Sequence, residues 1–373
     1  MSDTTVLNEP PDAAVQESAA EVPKDGAKTD YSVSAGFAGR LSGLGLSVAF
    51  SSYQSGLLYM VGVKPGGGVN IHQMAFPRPM GLHRHGAHGL SLAADDQILH
   101  LQNVLDPEEC LNDLFDAAFM PRQSDFTGQL DLHDLGIDAS GKAIFVNTRH
   151  NCLATPDARH SFREVWRPPF ISSLVDEDRC HLNGLAMQDR RPRYVTAVSR
   201  SDTIDGWRDR RADGGIVINV ETDDIVCDGL SMPHSPRLHD GRLWLLNSGR
   251  GELGTVEFDD NGKGRFEPHV FCPGFARGLS LHGRFAFVGL SKPRYKRFEG
   301  LDLDARLAET DSAPWCGVQI IDLETKTCVD WLRIDGAISE LYDLELLQGH
   351  LCPMAAAPGT PEAAKLITMP KPA

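Results

Sequence analysis

The sequence predicts an all-β chain folded as a β-propeller, seven-bladed by the count of its repeats, with six blades as the alternative. Three observations predict it. One five-residue window recurs seven times; each window leads through a polar turn to a second strand-like run; and turn-forming residues abound, with 36 Gly and 23 Pro among 373 residues.

The window has mostly apolar third and fifth residues. It reads Leu44-Gly-Leu-Ser-Val, His88-Gly-Leu-Ser-Leu, His133-Asp-Leu-Gly-Ile and His181-Leu-Asn-Gly-Leu, then His234-Ser-Pro-Arg-Leu, Arg277-Gly-Leu-Ser-Leu and Tyr342-Asp-Leu-Glu-Leu. Second runs follow at 57–63, 97–102, 143–147, 193–198, 242–247 and 284–290, after turns such as ASGK (139–142) and HDGR (239–242). Successive windows start 44, 45, 48, 53, 43 and 65 residues apart, the size of four strands with their loops. Third and fourth strands are read in GELGTVEF then RFEPHVF, and in GVQIIDL then CVDWLRI. The longest spacing holds the charged segment 292–314, read as a loop or short helix inserted in the sixth blade. Only 31 residues follow Tyr342, so residues 31–43 are expected to supply a missing outer strand and close the ring. Six blades result if the first window belongs to the closing blade; an open sandwich is the remaining alternative.

Residues 1–30 hold seven acidic and two basic side chains and few large apolar ones, and are read as a disordered acidic tail before a single propeller domain over 31–373. The net charge of −15 argues against a phosphate backbone as partner, and no basic amphipathic segment offers itself to a membrane. No apolar run has transmembrane length and the first residues lack a signal-peptide pattern, so a cytoplasmic location is expected. The eight cysteines are scattered without a C-x-x-C pair and are expected to be reduced and mostly buried.

In a propeller, each blade's first strand lines a central channel. The first residues of the windows form a column at the channel mouth: Leu44, His88, His133, His181, His234, Arg277 and Tyr342. Four consecutive histidines, His88, His133, His181 and His234, are therefore expected to hold one transition metal, iron or copper first, zinc or manganese otherwise. With an open coordination position, such a site takes a water, dioxygen or a substrate. Arg277, Tyr342, Asp343 and His150 are candidate catalytic neighbours. Loops after the second strands add Asn147, Arg149, Arg200, Asn247, Arg250 and Arg294, with Lys292 and Tyr295 nearby. Such a rim suits an anionic small molecule or the carboxylate end of a peptide. Within His83-Arg-His85-Gly-Ala-His88, His83 and His85 are alternative ligands, while Cys180 is expected to point away from the channel. Hydrogen bonding between blades is the competing role for all these histidines.

Segments 147–155 (NTRHNCLAT), 180–187 (CHLNGLAM) and 229–236 (GLSMPHSP) resemble a bacterial family of uncharacterised propeller-type proteins, which implies the fold and no activity. The four-histidine column is similar, as an analogy of fold, to the carotenoid cleavage oxygenases, with four axial histidines on ferrous iron. The paired G-H and W-D signatures of WD40 repeats are missing, as are G-x-S-x-G, P-loop, H-E-x-x-H and EF-hand patterns. The expectation is a metal-dependent enzyme, dioxygen-using oxidoreductase first and zinc- or manganese-type hydrolase or lyase second. A non-catalytic module binding a protein or peptide is the alternative.

Overall fold

The computed structural model describes residues 29–293 and 298–369. In chain order, β1 (Asp30–Val33) and α1 (Phe37–Leu44) precede β2 (Leu46–Ser52), β3 (Leu57–Val63) and β4 (Val69–Ala75). Blade one is β5 (Pro79–His85), β6 (Gly89–Ala94), β7 (Gln97–Asn103) and β8 (Ala117–Phe126). Blade two is β9 (Leu132–Ile137), β10 (Ala143–Asn147), β11 (Cys152–Thr155) and β12 (Arg163–Trp166). Blade three is β13 (Leu182–Gln188), β14 (Arg191–Ala197), β15 (Gly215–Asn219) and β16 (Ile225–Leu230). Blade four is β17 (Pro233–His239), β18 (Arg242–Asn247), β19 (Glu252–Phe258) and β20 (Gly264–Phe271). Blade five is β21 (Phe275–His282), β22 (Phe285–Ser291), then α2 (Leu303–Glu309), β23 (Cys316–Asp322) and β24 (Thr327–Asp335). Then come β25 (Leu344–Gln348), β26 (Pro353–Ala355) and α3 (Pro361–Lys365).

Among the described residues the sheets number six, so the seven-blade count is corrected to six. Blade six is composite: β25 from the C-terminal end is its inner strand and β2, β3 and β4 complete it, with Phe50 opposite Leu344. The first window thus belongs to the closing blade. Residues 31–43 do not close the ring; β1 is a fifth strand outside β24 of blade five, and α1 follows it. After β25 the chain crosses to blade one, where β26 runs parallel to β8 and covers its edge. The inserted segment lies in blade five and contains α2. Of the predicted tail only its last two residues are described, and Asp30 starts β1.

Middle strands such as AIFVN, GIVIN and FAFVGLS are buried throughout because blades stack face to face, whereas outer strands such as β4 are only partly covered. A separate apolar core fills each interface between blades. Phe50 and Tyr59 meet Phe287 and Ile320 between blades six and five, while Val146 and Leu153 meet Leu182 and Val195 between two and three.

Two of the seven windows lie on second strands: Leu44 to Val48 runs into β2, and His88 to Leu92 lies on β6. The GLSL string misleads because β6 and the inner strand β21 need the same apolar pattern. The true inner strand of blade one is β5, with Met80-Gly-Leu where blade two has His133-Asp-Leu. Register breaks between first and second strands fix this alignment: they fall at Pro79/Leu82, Leu132/Leu135, Leu182/Leu185 and Ala276/Leu279. Blade three therefore presents Asn183 at the mouth position, and His181 reaches in from the loop before its strand.

The residue after each mouth position alternates around the ring: Gly81, Asp134, Gly184, Ser235, Gly278, Asp343. Each polar member clasps the next blade through a backbone N–H. Leu82 N donates to Asp343 Oδ2 (2.8 Å), Leu185 N to Asp134 Oδ2 (2.9 Å) and Gly278 N to Ser235 Oγ (3.1 Å). Each glycine admits the next blade: a Cβ on Gly184 would run into Pro236, and one on Gly278, at φ +82°, would lie 2.8 Å from Leu344 N.

Candidate functional site

The loops entering the inner strands bring His133, His181, His234, Arg277 and Tyr342 together at the upper mouth of the channel. The His133 and His181 rings are 5.0 Å apart, the His133 and Tyr342 rings 5.6 Å, and the Arg277 guanidinium lies 4.0 Å over the Tyr342 ring. His234 completes the group, since the charges of Arg277, His181 and His133 all bear on it.

A local device orients two of the imidazoles. His133 Nδ1 lies 3.0 Å from the Asp131 carbonyl and His234 Nδ1 2.7 Å from the Met232 carbonyl, each two residues upstream. Asp131 and Met232 both have left-handed backbones, φ +57° and +49°, which turn those carbonyls inward. Thr148 Oγ1, 2.8 Å from His133 Nδ1, donates its own hydrogen to the Leu182 carbonyl at 2.7 Å. Nδ1 must then carry the ring hydrogen, leaving Nε2 as a lone pair. Burial first, then His181 and Arg277 for His133 and Arg277 for His234, holds both well below the ordinary imidazole range, so both are neutral.

His181 is held by a carboxylate instead. Asp178 Oδ2 is 2.6 Å from its Nδ1, Asp178 Oδ1 accepts from its backbone N–H at 3.0 Å, and its φ is +50°. The Trp207 indole, a buried residue of the loop between β14 and β15, stacks on the ring at 4.2 Å. Phe275 packs edge-on against His234 at 5.3 Å, and Phe298 lies behind it.

Arg277 is buried, yet among the described residues its guanidinium meets no hydrogen-bond acceptor. The Tyr342 hydroxyl, Trp207 Nε1 and Asn183 Nδ2 are likewise buried without a partner. Donors thus predominate among the unpartnered groups, opposite the Nε2 lone pairs of His133 and His234.

One layer down, the channel is closed by Arg237 of blade four. Its Nη1 donates to Asp134 Oδ2 (2.9 Å) and to the Leu185 carbonyl (3.1 Å), and its Nη2 lies 3.5 Å from Asp343 Oδ1. One side chain therefore ties blades two, three, four and six. Burial pushes the Asp343 carboxyl up to about 7 and the Glu345 carboxyl up to about 8, against the lowering pull of Arg237.

Several expected site residues lie elsewhere. His88 is exposed in the turn between β5 and β6, at the other end of the channel, because its window is a second strand. The four-histidine metal centre is therefore not formed. Among the described residues, no group of three or more His, Cys, Asp or Glu is arranged to hold a metal ion. Asp343 is a clasp inside the channel rather than a catalytic group at the mouth. His150 packs on Phe162 at 5.0 Å with Nδ1 3.2 Å from Asn147 Oδ1, away from the axial group. The Arg149 fork is taken by Asp176 (2.7 and 2.5 Å), and Arg250 pairs with Asp302 at 3.2 Å. Arg200 is exposed; Asn247 is buried between Ser231 N and Glu252; Arg294 and Tyr295 fall outside the described residues. Lys292 Nζ pairs with Asp335 at 3.2 Å. His83 lies within the channel, 3.9 Å from Glu345. Asp178 was not singled out in the sequence, though its place three residues before His181 is a local signal, whereas Thr148, Trp207 and Arg237 carry none.

No curated protein matches the chain. Among solved structures it is similar to the selenomethionine-substituted virginiamycin B lyase from Staphylococcus aureus, with 11% identity over 65% of this chain and 73% of that one and a TM-score of 0.39. A nidogen/laminin complex shows 10% identity over 82% and 99% of the chains, TM-score 0.45. A streptogramin B lyase shows 10% identity over 78% and 90%, TM-score 0.39. Likeness at this level says nothing of activity. The analogy to carotenoid oxygenases does not hold, since the blades number six and three histidines converge rather than four. The family described as a domain of unknown function (DUF4915) matches residues 35–356, nearly the whole propeller, and the chain belongs to that family.

Proposed function

We propose that the upper mouth is the active site of an enzyme that acts on a small anionic molecule by proton transfer. Arg277 and Tyr342 hold the anion, and His181, paired with Asp178, moves the proton. The observation that carries this reading is the buried Arg277 guanidinium without an acceptor. The charges of Glu340 and Asp131 bear on this cation, while its N–H fork bonds no oxygen of the described residues and so stands ready for an incoming anion. A carboxylate or phosphate fits the planar fork and the Tyr342 hydroxyl together. His133 and His234, neutral and presenting Nε2, accept from a ligand hydroxyl or N–H. Asp178 stabilises the imidazolium formed when His181 Nε2 takes a proton, the arrangement of a general acid–base dyad. Hydrolase or lyase chemistry fits these parts.

Calorimetry with malonate and with inorganic phosphate tests the reading. Saturable binding that is lost in Arg277→Met, with unchanged circular dichroism, is expected. Equal binding by the variant, or none by the native chain to either anion, overturns it.

One observation favours a second reading. Imidazoles whose Nδ1 atoms are pinned by oxygens are oriented as metal ligands commonly are, but iron, copper, zinc or manganese would have to draw the three rings together, since as placed they form no metal-holding group. Dioxygen chemistry would need that ion, while the charge of Arg277 opposes it. Stoichiometric metal after reconstitution, lost on replacing any of the three histidines, would establish this reading instead. A protein-binding role draws less support, because Trp207 is buried and Phe275 only partly open. All eight cysteines are unpaired, which supports a reducing compartment such as the cytoplasm.

A further inference from the structure

Within blade one, three hydrogen bonds run in line across neighbouring strands near the lower mouth. His100 Nε2 is 3.0 Å from Asp125 Oδ2, His100 Nδ1 is 2.8 Å from Ser91 Oγ, and Ser91 Oγ is 3.0 Å from His85 Nε2. The sheet sets this row, since Ser91 stands opposite His83 on β5 and His100 on β7. His85 lies over Gly89, where a Cβ would strike its ring.

The carboxylate can only accept, and for a neutral His100 that fixes the direction of every hydrogen. His100 gives its Nε2 hydrogen to Asp125, so its Nδ1 is a lone pair that accepts from the Ser91 hydroxyl. The Ser91 oxygen then accepts the Nε2 hydrogen of His85, and His85 Nδ1 is left bare. The residue types are those of a serine hydrolase, but Ser91 is fully buried with both hydrogen and oxygen engaged by imidazoles, so it is no nucleophile. His85 is partly exposed. The titratable and charged groups around it are His83 on its own strand, His100 on β7 and Arg190 from the turn between β13 and β14. Burial first, then His100 and Arg190, keeps His85 below the ordinary imidazole range and so neutral. The exposed Arg190 guanidinium acts on both His83 and His85.

We propose that the Asp125–His100–Ser91–His85 chain makes His85 the proton acceptor of a second acid–base site at the lower mouth, for a partly protonated oxyanion of the phosphate type held by Arg190. The ligand's O–H proton passes to His85 Nδ1 and its electron pair stays on the ligand oxygen. The charge gained is balanced along the chain by Asp125, and no bond between heavy atoms forms or breaks. Asp125, His100 and Ser91 are positioning residues.

Nitrogen-15 spectra of the histidine side chains test this on the full chain. His85 is expected to carry its hydrogen on Nε2; a hydrogen on Nδ1 overturns the proposal without any variant being made. Asp125→Asn, which keeps the acceptor oxygen and removes the charge, is expected to lower the titration midpoint of His85. In a Ser91→Ala background the same change is expected to leave that midpoint where it is. An equal drop in both backgrounds would mean that the charge acts through space, and overturns the relay. Inorganic phosphate is expected to shift the His85 signals of the native chain and not those of Arg190→Asn; no shift in the native chain, or an equal one in both, overturns the site.

Discussion

Replacing Arg237 with leucine probes how the channel is held. The guanidinium is the counter-charge for Asp134, Asp343 and Glu345 and also caps the Leu185 carbonyl. Removing one partner of a buried ion pair typically costs about 3–5 kcal/mol, because the other charge stays buried and unpaired. The acids can escape part of that cost by taking up protons, so the loss must depend on pH. In the native chain Asp343 and Glu345 are raised from ordinary values of 3.8 and 4.5 to about 7 and about 8. The folded state therefore binds more protons than the unfolded chain between roughly pH 4 and 8, and stability falls as pH rises through that window. Without Arg237 both carboxyls move higher still. Urea unfolding followed by tryptophan fluorescence at pH 5.5 and 8.5 is the assay. The variant is expected to lose about 3–5 kcal/mol at pH 8.5 and less than half of that at pH 5.5, where Asp343 and Glu345 are neutral. A loss below about 1 kcal/mol at pH 8.5, or the same loss at both pH values, would refute the reasoning.

Two further predictions concern the same channel. Glu345→Gln removes a carboxyl that burial raises to about 8, so the fall in native stability between pH 6 and pH 9 should flatten in the variant; an unchanged slope would place the titrating group elsewhere. Gly278→Ala puts a Cβ 2.8 Å from Leu344 N at a residue with φ +82°, so thermal unfolding should show a loss of about 1–3 kcal/mol, and an unchanged midpoint would contradict the close seating of blades five and six.

The sequence by itself determined the propeller and most of its strands, because strands buried between blades must be continuous apolar runs and their turns must carry Gly and Asp. It also placed His133, His234, Arg277 and Tyr342 at one mouth, since each stands at the head of a true inner strand. Periodicity could not tell an inner strand from a second one: both are buried on both faces, so GLSL on β6 passed for GLSL on β21, and His88 was put at the wrong end. The count of blades was equally beyond local pattern, because blade six joins β25 to strands some 300 residues earlier in the chain, a pairing that exists only when the ring closes. Tertiary structure alone decided the roles of Asp134, Arg237 and Asp343, whose partners come from other blades, and the seat of Trp207 on His181. Contacts between residues this far apart in sequence leave no spacing to read, and they decide which polar groups are tied down and which, like Arg277, are left open.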